Sequence, residues 1–256
     1  MDSKSFSSFY FAVDGEEHFV EEVKEYADGH SGQMGSYRGN MYCAECRQAA
    51  LTFVHGASGK KAYLRRIPTS SHQEACSYNH EYASTKYVKQ YFSKLRDREI
   101  EDKLDGMLRM LCREGESRFP KNNQHGRRLE EQNSMCIGEQ SGSIKISKVL
   151  RRKSLNSQID ENQEGDIFVF YGKAKLRVEE RGNSENVYYL LQICAEQKGG
   201  KFLHTRTYRS KIKDNVEENV VYDIAMIGML NFKYSPFSID LIKPCAIKFC
   251  KTNMDH

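Results

Sequence analysis

The sequence of 256 residues contains no tryptophan, so any stacking of aromatic rings on a ligand must come from tyrosine and phenylalanine. No stretch approaches the roughly twenty consecutive apolar residues that a membrane-spanning helix needs. The opening MDSKSFSSFY lacks the basic start and apolar run of a secretion signal. We therefore expect a cytoplasmic protein without membrane contact. Phosphate-binding loops, dinucleotide-binding glycine patterns and nucleophile elbows are also missing, which argues against nucleotide and acyl-transfer chemistry.

Eight cysteines in such a chain are expected to be reduced, and their clustering favours metal binding over disulfides. Cys43 and Cys46 form a C-x-x-C pair, and His72 and Cys76 form a second closely spaced pair. Thiolate and imidazole ligands at such spacings are typical of a tetrahedral zinc site, and four protein ligands leave no open position for catalysis. We predict one structural zinc ion held by these four residues, with His80 as an alternative to His72.

A hairpin is predicted between the two ligand pairs. Residues 50–54 and 61–67 have the composition of strands on either side of a Gly-Ala-Ser-Gly turn. Upstream, residues 9–13 indicate a strand and residues 16–26 a helix. The hairpin carries four basic side chains that suit phosphate contact, although they could equally do no more than solvate a small ribbon. These side chains are Lys60, Lys61, Arg65 and Arg66.

The order of features in this part of the chain resembles one known module. Y-C-x-E-C is followed by a basic hairpin, a Pro-containing turn, H-x-x-x-C and a helix that opens with His80 and Lys86. Over residues 37–95 this order resembles the N-terminal zinc-finger-like module of the competence CoiA-like proteins. In that family the module precedes a nuclease domain of the restriction-endonuclease type. The resemblance therefore implies a zinc-binding module and makes a metal-dependent nuclease an alternative function.

The next stretch, residues 84–112, repeats apolar side chains at intervals of three and four, which predicts an amphipathic helix. It is either one long helix or two helices broken near Asp97. Its apolar stripe packs in the core or binds a protein partner. Residues 113–158 have the composition of a basic linker. Within it, Lys148, Arg151 and Arg152 would suit contact with a phosphate backbone, or could simply be solvated.

The second half of the chain alternates apolar and polar residues with the period of strands. Strands are predicted over 167–178, 187–195, 201–208, 222–230, 238–242 and 246–250, with a short helix over 214–221. This order resembles an OB-fold, in which a helix bridges the third and fourth strands of a small barrel. Gly172 lies inside the first strand, where a strand that bends around a barrel needs a residue without a Cβ.

An OB-like barrel would bind its ligand across the second and third strands, where aromatic and basic residues should face outward together. Bases stack on the aromatic rings, while the cations neutralise phosphates. For any single aromatic residue, core packing is the simpler explanation of its presence, and the group is stronger evidence than its members. The candidate residues are Lys173, Lys175, Tyr189, Arg206, Tyr208 and Arg209.

These features predict an α+β chain with a zinc-ribbon-like module over residues 1–83 and a long helix over 84–112. A basic linker over 113–158 then leads to a small antiparallel OB-like barrel over 159–256. We expect a non-enzymatic zinc protein that binds single-stranded DNA or RNA. The alternatives are a CoiA-like metal-dependent nuclease and a protein-interaction subunit of a nucleoprotein assembly, in which the 84–112 helix would contact a protein partner.

Overall fold

The computed structural model describes residues 4–56, 61–112, 133–141, 144–197 and 200–252. The chain divides into two compact units. Unit 1 holds described residues 4–81 and Asn133, and unit 2 holds described residues 82–112 and 134–252. None of the helices within these described ranges is long and apolar enough to cross a membrane.

Unit 1 is built from short strands and one helix around a small apolar core. A three-stranded antiparallel sheet has β1 at its centre, and β4 and β5 form a separate hairpin. The predicted helix over 16–26 starts later than expected, because residues 17–19 first pair with β1 as a strand. The elements are β1 (Ser8–Phe11), β2 (Glu17–Phe19), α1 (Val20–Gly29), β3 (Met41–Cys43), β4 (Leu51–Val54) and β5 (Tyr63–Arg66).

Two helices, α2 (Thr85–Lys94) and α3 (Asp97–Leu111), open unit 2. The single long helix is wrong, and the alternative of two helices broken near Asp97 is confirmed. Leu95 and Arg96 have extended backbone angles, and the Glu99 side chain accepts a hydrogen bond from the Arg96 N–H at 2.9 Å to start α3. The apolar stripe of both helices is buried in the core of unit 2.

Part of the predicted basic linker is folded. Residues 113–132 lie outside the described residues, but three strands follow: β6 (Cys136–Ser141), β7 (Ile144–Val149) and β8 (Arg151–Ser154). β6 and β7 form an antiparallel hairpin. The assignment of residues 136–154 to a linker is therefore wrong, because pairing between strands stabilises a segment whose own composition is polar.

Five strands of unit 2 close into a barrel. β9 pairs with β10, β10 with β11, β11 with β13, and β13 with β12, which returns to β9. β8 pairs in parallel with the first part of β9, and β14 (Ile247–Lys251) pairs with β12. The predicted strands are confirmed, and the barrel is compatible with an OB-like topology. Its strands are β9 (Ile167–Arg181), β10 (Tyr188–Gln197), β11 (Lys201–Ser210), β12 (Val221–Asn231) and β13 (Ser238–Leu241).

Gly172 lies where β9 changes partners along one edge. Residues 168–171 pair with β8, whereas residues 175–181 pair with β10. Between these two paired stretches, the Asn156 side chain supplies the hydrogen bonds to β9. It accepts from the Lys173 N–H and donates to the carbonyl oxygens of Lys173 and Glu196. Gly172 has a φ of +142°, and a Cβ there would lie 2.1 Å from the Asn156 Oδ1. The interior glycine therefore meets both a backbone requirement and a space requirement.

The predicted helix over 214–221 is wrong, because residues 211–220 contain no helix. The Asp214 carboxylate binds the Arg209 guanidinium through contacts of 2.7 and 2.9 Å. The Glu217 N–H donates to the Tyr222 hydroxyl at 2.8 Å rather than to a carbonyl oxygen one helical turn earlier. Side-chain partners thus replace the hydrogen bonds that a helix would have formed.

We expect Gly172→Ala to lower the free energy of unfolding of the full chain by about 1–3 kcal/mol, because the new Cβ meets Asn156 and φ is positive. Urea unfolding of both proteins measures the difference. Gly165→Ala is the matched control, since Gly165 has a φ of +82° but no heavy atom within 4 Å of the added Cβ. Equal losses in the two variants would show that backbone strain alone, and not the Asn156 contact, makes the glycine necessary.

Candidate metal centre and barrel face

The two predicted ligand pairs converge in unit 1. Cys43 ends β3, Cys46 lies in the turn that follows, and His72 and Cys76 come from the segment after β5. Their ligand atoms all lie within 4.8 Å of one another. The three cysteines are buried and His72 is half-buried. This cluster could hold a metal ion, and it is the only such group of three or more His, Cys, Asp or Glu side chains among the described residues.

The turn between Cys43 and Cys46 has the geometry that brings two sulfurs to one point. The Arg47 N–H donates to the Cys43 carbonyl oxygen, and Arg47 takes a φ of +53°. The Cys43 N–H in turn donates to the Ala49 carbonyl oxygen at 2.8 Å. Across the cluster, the Cys43 and Cys76 sulfurs are 3.9 Å apart. The chain thus closes a tight knuckle and sets it against Cys76.

The His72 ring is oriented by two aromatic neighbours. Phe6 and Tyr78 stack on it at centroid distances of 5.7 and 5.8 Å, with interplanar angles near 20°. Its Nδ1 atom lies 3.5 Å from the Cys46 sulfur and 3.5 Å from the Cys76 sulfur. His80, the alternative ligand, is not part of the cluster. The structure therefore presents His72 Nδ1 as the fourth donor atom.

Crowding and burial keep the sulfurs from ionising together. Burial raises the pKa of the Cys43 thiol to about 12. The pKa of Cys76 is raised chiefly by its hydrogen bond with Cys43, whereas a hydrogen bond from Cys43 lowers the pKa of Cys46. One thiolate is thus stabilised at the expense of the other two. A bound cation would favour the thiolate form of all three, since metal ligands bind deprotonated.

Sequence reasoning missed a buried carboxylate inside the first knuckle. Glu45 is 0% exposed, and its carboxylate accepts hydrogen bonds from Ser77 and Asn133. Its position between Cys43 and Cys46 does not by itself show that the side chain is buried, but once buried it needs donors. Asn133 was missed as well, since it lies 88 residues further along the chain.

The basic residues of the β4–β5 hairpin differ in the exposure and contacts that the structure describes for them. Lys60 lies outside the described residues, while Lys61 and Arg65 are exposed. Arg66 is also exposed, but its guanidinium donates to the carbonyl oxygens of the turn after β5, including that of Ser70. Arg66 therefore holds this turn.

The remaining candidates belong to unit 2, where alternation along β11 separates an inner from an outer row. Thr205, Thr207 and Arg209 are buried. The alternate residues of β11 point outward. Strand β10 lies between β11 and β9 and pairs with both, so these residues are level with the outward residues of β9. We call the resulting surface, together with Tyr234 from the loop after β12, the barrel face. Its residues are Lys175 and Arg177 of β9, Phe202, His204, Arg206 and Tyr208 of β11, and Tyr234.

The prediction that Arg209 faces a ligand is wrong, because its guanidinium is buried. It binds the Asp214 carboxylate and donates to the Pro244 carbonyl oxygen at 2.5 Å, so it closes the end of the barrel instead of facing a ligand. Arg206, three residues earlier, lies on the barrel face with its guanidinium 5.4 Å from the Tyr234 ring centroid. The two arginines have opposite parity and different roles.

The other predicted contacts lie apart from the exposed centre of the barrel face. Lys148, Arg152, Lys173 and Tyr189 are half-buried. Arg151 is exposed but pairs with Asp166 at 2.6 Å. Sequence reasoning missed His204, which shares its parity with Arg206. It also missed Tyr234, since no repeating pattern reports where a loop residue lies.

We expect His72→Ala to weaken Zn²⁺ affinity by more than about 100-fold, because loss of a supporting outer residue alone costs 10–100-fold. Competition with a chromophoric chelator on the full chain measures the affinity. His80→Ala is the matched control and should retain wild-type affinity. A loss in His80→Ala equal to that in His72→Ala would mean that the Cys76 segment rearranges to bring His80 to the ion.

Comparison of the chain with protein-family models, with curated proteins and with solved structures finds no match. No relative therefore supplies a role for these residues. The metal cluster and the barrel face are the two features of the described chain from which a function follows.

Proposed function

We propose that this chain is a non-enzymatic zinc protein that binds single-stranded DNA or RNA on the barrel face. The observation that carries the proposal is the exposure of three aromatic rings beside cationic side chains. Phe202, Tyr208 and Tyr234 are 55, 57 and 58% exposed. Apolar side chains of this size are normally buried, and clusters of them in water mark binding sites. Bases of a single strand stack on such rings irrespective of sequence.

The strand order of the barrel supports the same function. Counted from β9, the order is first, second, third, fifth, fourth, with the fourth strand returning to the first. This order fits an OB-like barrel, the finer description that we propose for it. OB barrels bind oligonucleotides across their second and third strands, which correspond here to β10 and β11.

The barrel face carries cations on both β9 and β11, whereas its exposed rings lie on β11 and at Tyr234. On the intervening strand β10, Cys194 pairs with Lys175 on one side and with His204 on the other. Gln192 pairs in the same way with Arg177 and Arg206. The cations of β9 therefore run alongside the row on β11 that carries the rings. In this arrangement phosphates lie over β9 and bases reach β11. In unit 1, Lys61 and Arg65 supply further positive charge for contact with phosphates.

Zinc is the ion that we propose for the cluster. Bonds of about 2.3 Å to sulfur and 2.0 Å to nitrogen in a tetrahedron place two sulfurs roughly 3.8 Å apart and sulfur and nitrogen roughly 3.5 Å apart. The corresponding distances are 3.9 Å between Cys43 and Cys76 and 3.5 Å between His72 and either sulfur partner. Thiolates and imidazole are also the donors that zinc prefers.

Four protein ligands favour a structural ion, because a hydrolytic zinc keeps a position for water. Under this proposal, residues 41–76 form a zinc-ribbon-like module related to that of the CoiA-like proteins. The ion holds the ends of the basic hairpin together and does not act on a substrate. Cleavage of nucleic acid is therefore the outcome that would replace binding as the function.

We expect labelled single-stranded DNA or RNA to bind the full chain more tightly than duplex does, with no cleavage product when Mg²⁺ or Mn²⁺ is added. Tyr208→Ala and Phe202→Ala should each weaken binding roughly 5- to 150-fold, because one stacked base is worth about 1–3 kcal/mol. Fluorescence anisotropy measures binding, and gel analysis of the same samples detects cleavage.

Val13→Ala is the control for these variants, since Val13 is 62% exposed but belongs to unit 1. It should bind like the wild type. Failure to bind all three nucleic acids would contradict the proposal and favour a role in protein assembly. Metal-dependent product would establish a nuclease instead.

The salt dependence of binding distinguishes phosphate contacts on β9 from base stacking on β11. Lys175→Gln should reduce the slope of log K against log salt concentration by about 0.7, because one fewer phosphate is neutralised. Tyr208→Ala should lower affinity at every salt concentration without changing this slope. Lys24→Gln, which removes an exposed lysine of α1 in unit 1, is the control for a loss of charge elsewhere. A slope that Lys175→Gln leaves unchanged would place the phosphates away from β9.

A further inference from the structure

We infer that Glu45 and Asn133 are positioning residues of the metal centre and that they hold Cys76 in place from both sides. The inference rests on the metal centre of the proposed function and is independent of nucleic-acid binding. Neither residue is a donor to the ion. Their effect is exerted through Ala75 and Ser77, the two neighbours of Cys76 in the chain.

Glu45 fixes the residue that follows Cys76. Its Oε1 atom accepts from the Ser77 N–H at 2.6 Å, and its Oε2 atom accepts from the Ser77 hydroxyl at 2.5 Å. On the other side, the Lys4 ammonium group donates to the Ser77 carbonyl oxygen at 3.2 Å. Ser77 is thus held at its nitrogen, its hydroxyl and its carbonyl oxygen, so the backbone next to the Cys76 ligand has little freedom.

Asn133 fixes the residue that precedes Cys76. Its Nδ2 group donates to the Ala75 carbonyl oxygen at 2.8 Å and to the Glu45 Oε1 at 2.7 Å. One amide group therefore joins the Cys76 segment to the knuckle that carries Cys43 and Cys46. Asn133 is 1% exposed and Glu45 is 0% exposed. Water therefore cannot easily substitute for these hydrogen bonds.

The arrangement explains why a carboxylate lies between two metal ligands. Outer residues that orient ligating side chains contribute strongly to metal affinity. A carboxylate accepts from several donors at once, and in this place it links both ligand pairs of the centre. A glutamine could do the same, because its oxygen would accept from the Ser77 N–H and from Asn133 while its amide donates to the Ser77 hydroxyl oxygen. Geometry, and not charge, is then the property that matters.

We expect Glu45→Ala to weaken Zn²⁺ binding by 10–100-fold, in line with the loss of an outer-shell partner. Asn133→Ala should weaken it in the same direction, and Glu45→Gln should stay close to the wild type. The full chain is titrated with Zn²⁺ against a chromophoric chelator. Co²⁺ is used as a second probe, because its absorption bands report whether the tetrahedral site of three sulfurs and one nitrogen has kept its geometry.

Asn156→Ala is the matched control, since Asn156 also donates to two backbone carbonyl oxygens but lies in unit 2. It should leave Zn²⁺ affinity and the Co²⁺ bands unchanged. If Glu45→Ala does not fold, Asn133→Ala and Glu45→Gln still decide the question. Wild-type affinity in Asn133→Ala, or a loss in Glu45→Gln as large as in Glu45→Ala, would overturn the positioning role. A wild-type chain that binds neither Zn²⁺ nor Co²⁺ would overturn the metal centre itself.

Discussion

Unit 1 depends on the meeting of three buried sulfurs and one imidazole nitrogen within 4.8 Å. Such a cluster is unfavourable by itself, because buried thiols that crowd each other resist ionisation. A bound cation would stabilise the thiolate forms of these sulfurs and so offset the cost of crowding them together. The two pairs of candidate ligands flank the β4–β5 hairpin, so one bound ion would join both of its ends. A module of about 80 residues with a small apolar core gains from such a link.

The barrel of unit 2 obeys a different constraint. Closure fixes one parity of each strand as the interior, and the opposite parity must then face outward. Along β11 the interior parity holds Leu203, Thr205, Thr207 and Arg209, whereas the outer parity holds Phe202, His204, Arg206 and Tyr208. An outer row has no packing reason to carry two aromatic rings. The two exposed rings on this strand contribute nothing to the core, and they motivate the proposal that the barrel face binds a ligand.

Local patterns were sufficient for the strands of the barrel and for the cluster of Cys and His side chains that could hold a metal ion. A period of two identifies each strand wherever one face is buried, and short spacing between cysteines and histidines identifies donors that can share an ion. A basic strand or arm was expected near Ile144 and Ile146, but the pairing of β6, β7 and β8 escaped this reasoning, because their polar composition resembles a linker. Asn133 also escaped it, since its partners Ala75 and Glu45 lie far away in the chain.

Two errors in the second half have a single cause. The sequence placed Arg209 on the ligand face and a helix over 214–221, and both expectations treated their residues as independent of each other. In the structure Asp214, five residues after Arg209, turns back to bind its guanidinium. The ion pair neutralises the Arg209 guanidinium, which lies on the interior side of β11. It also fixes Asp214, so the segment after β11 is irregular instead of helical. A buried arginine on the inner row needs a carboxylate from a neighbouring loop. The inner position of residue 209 and the absence of the helix are therefore one consequence of the closed barrel.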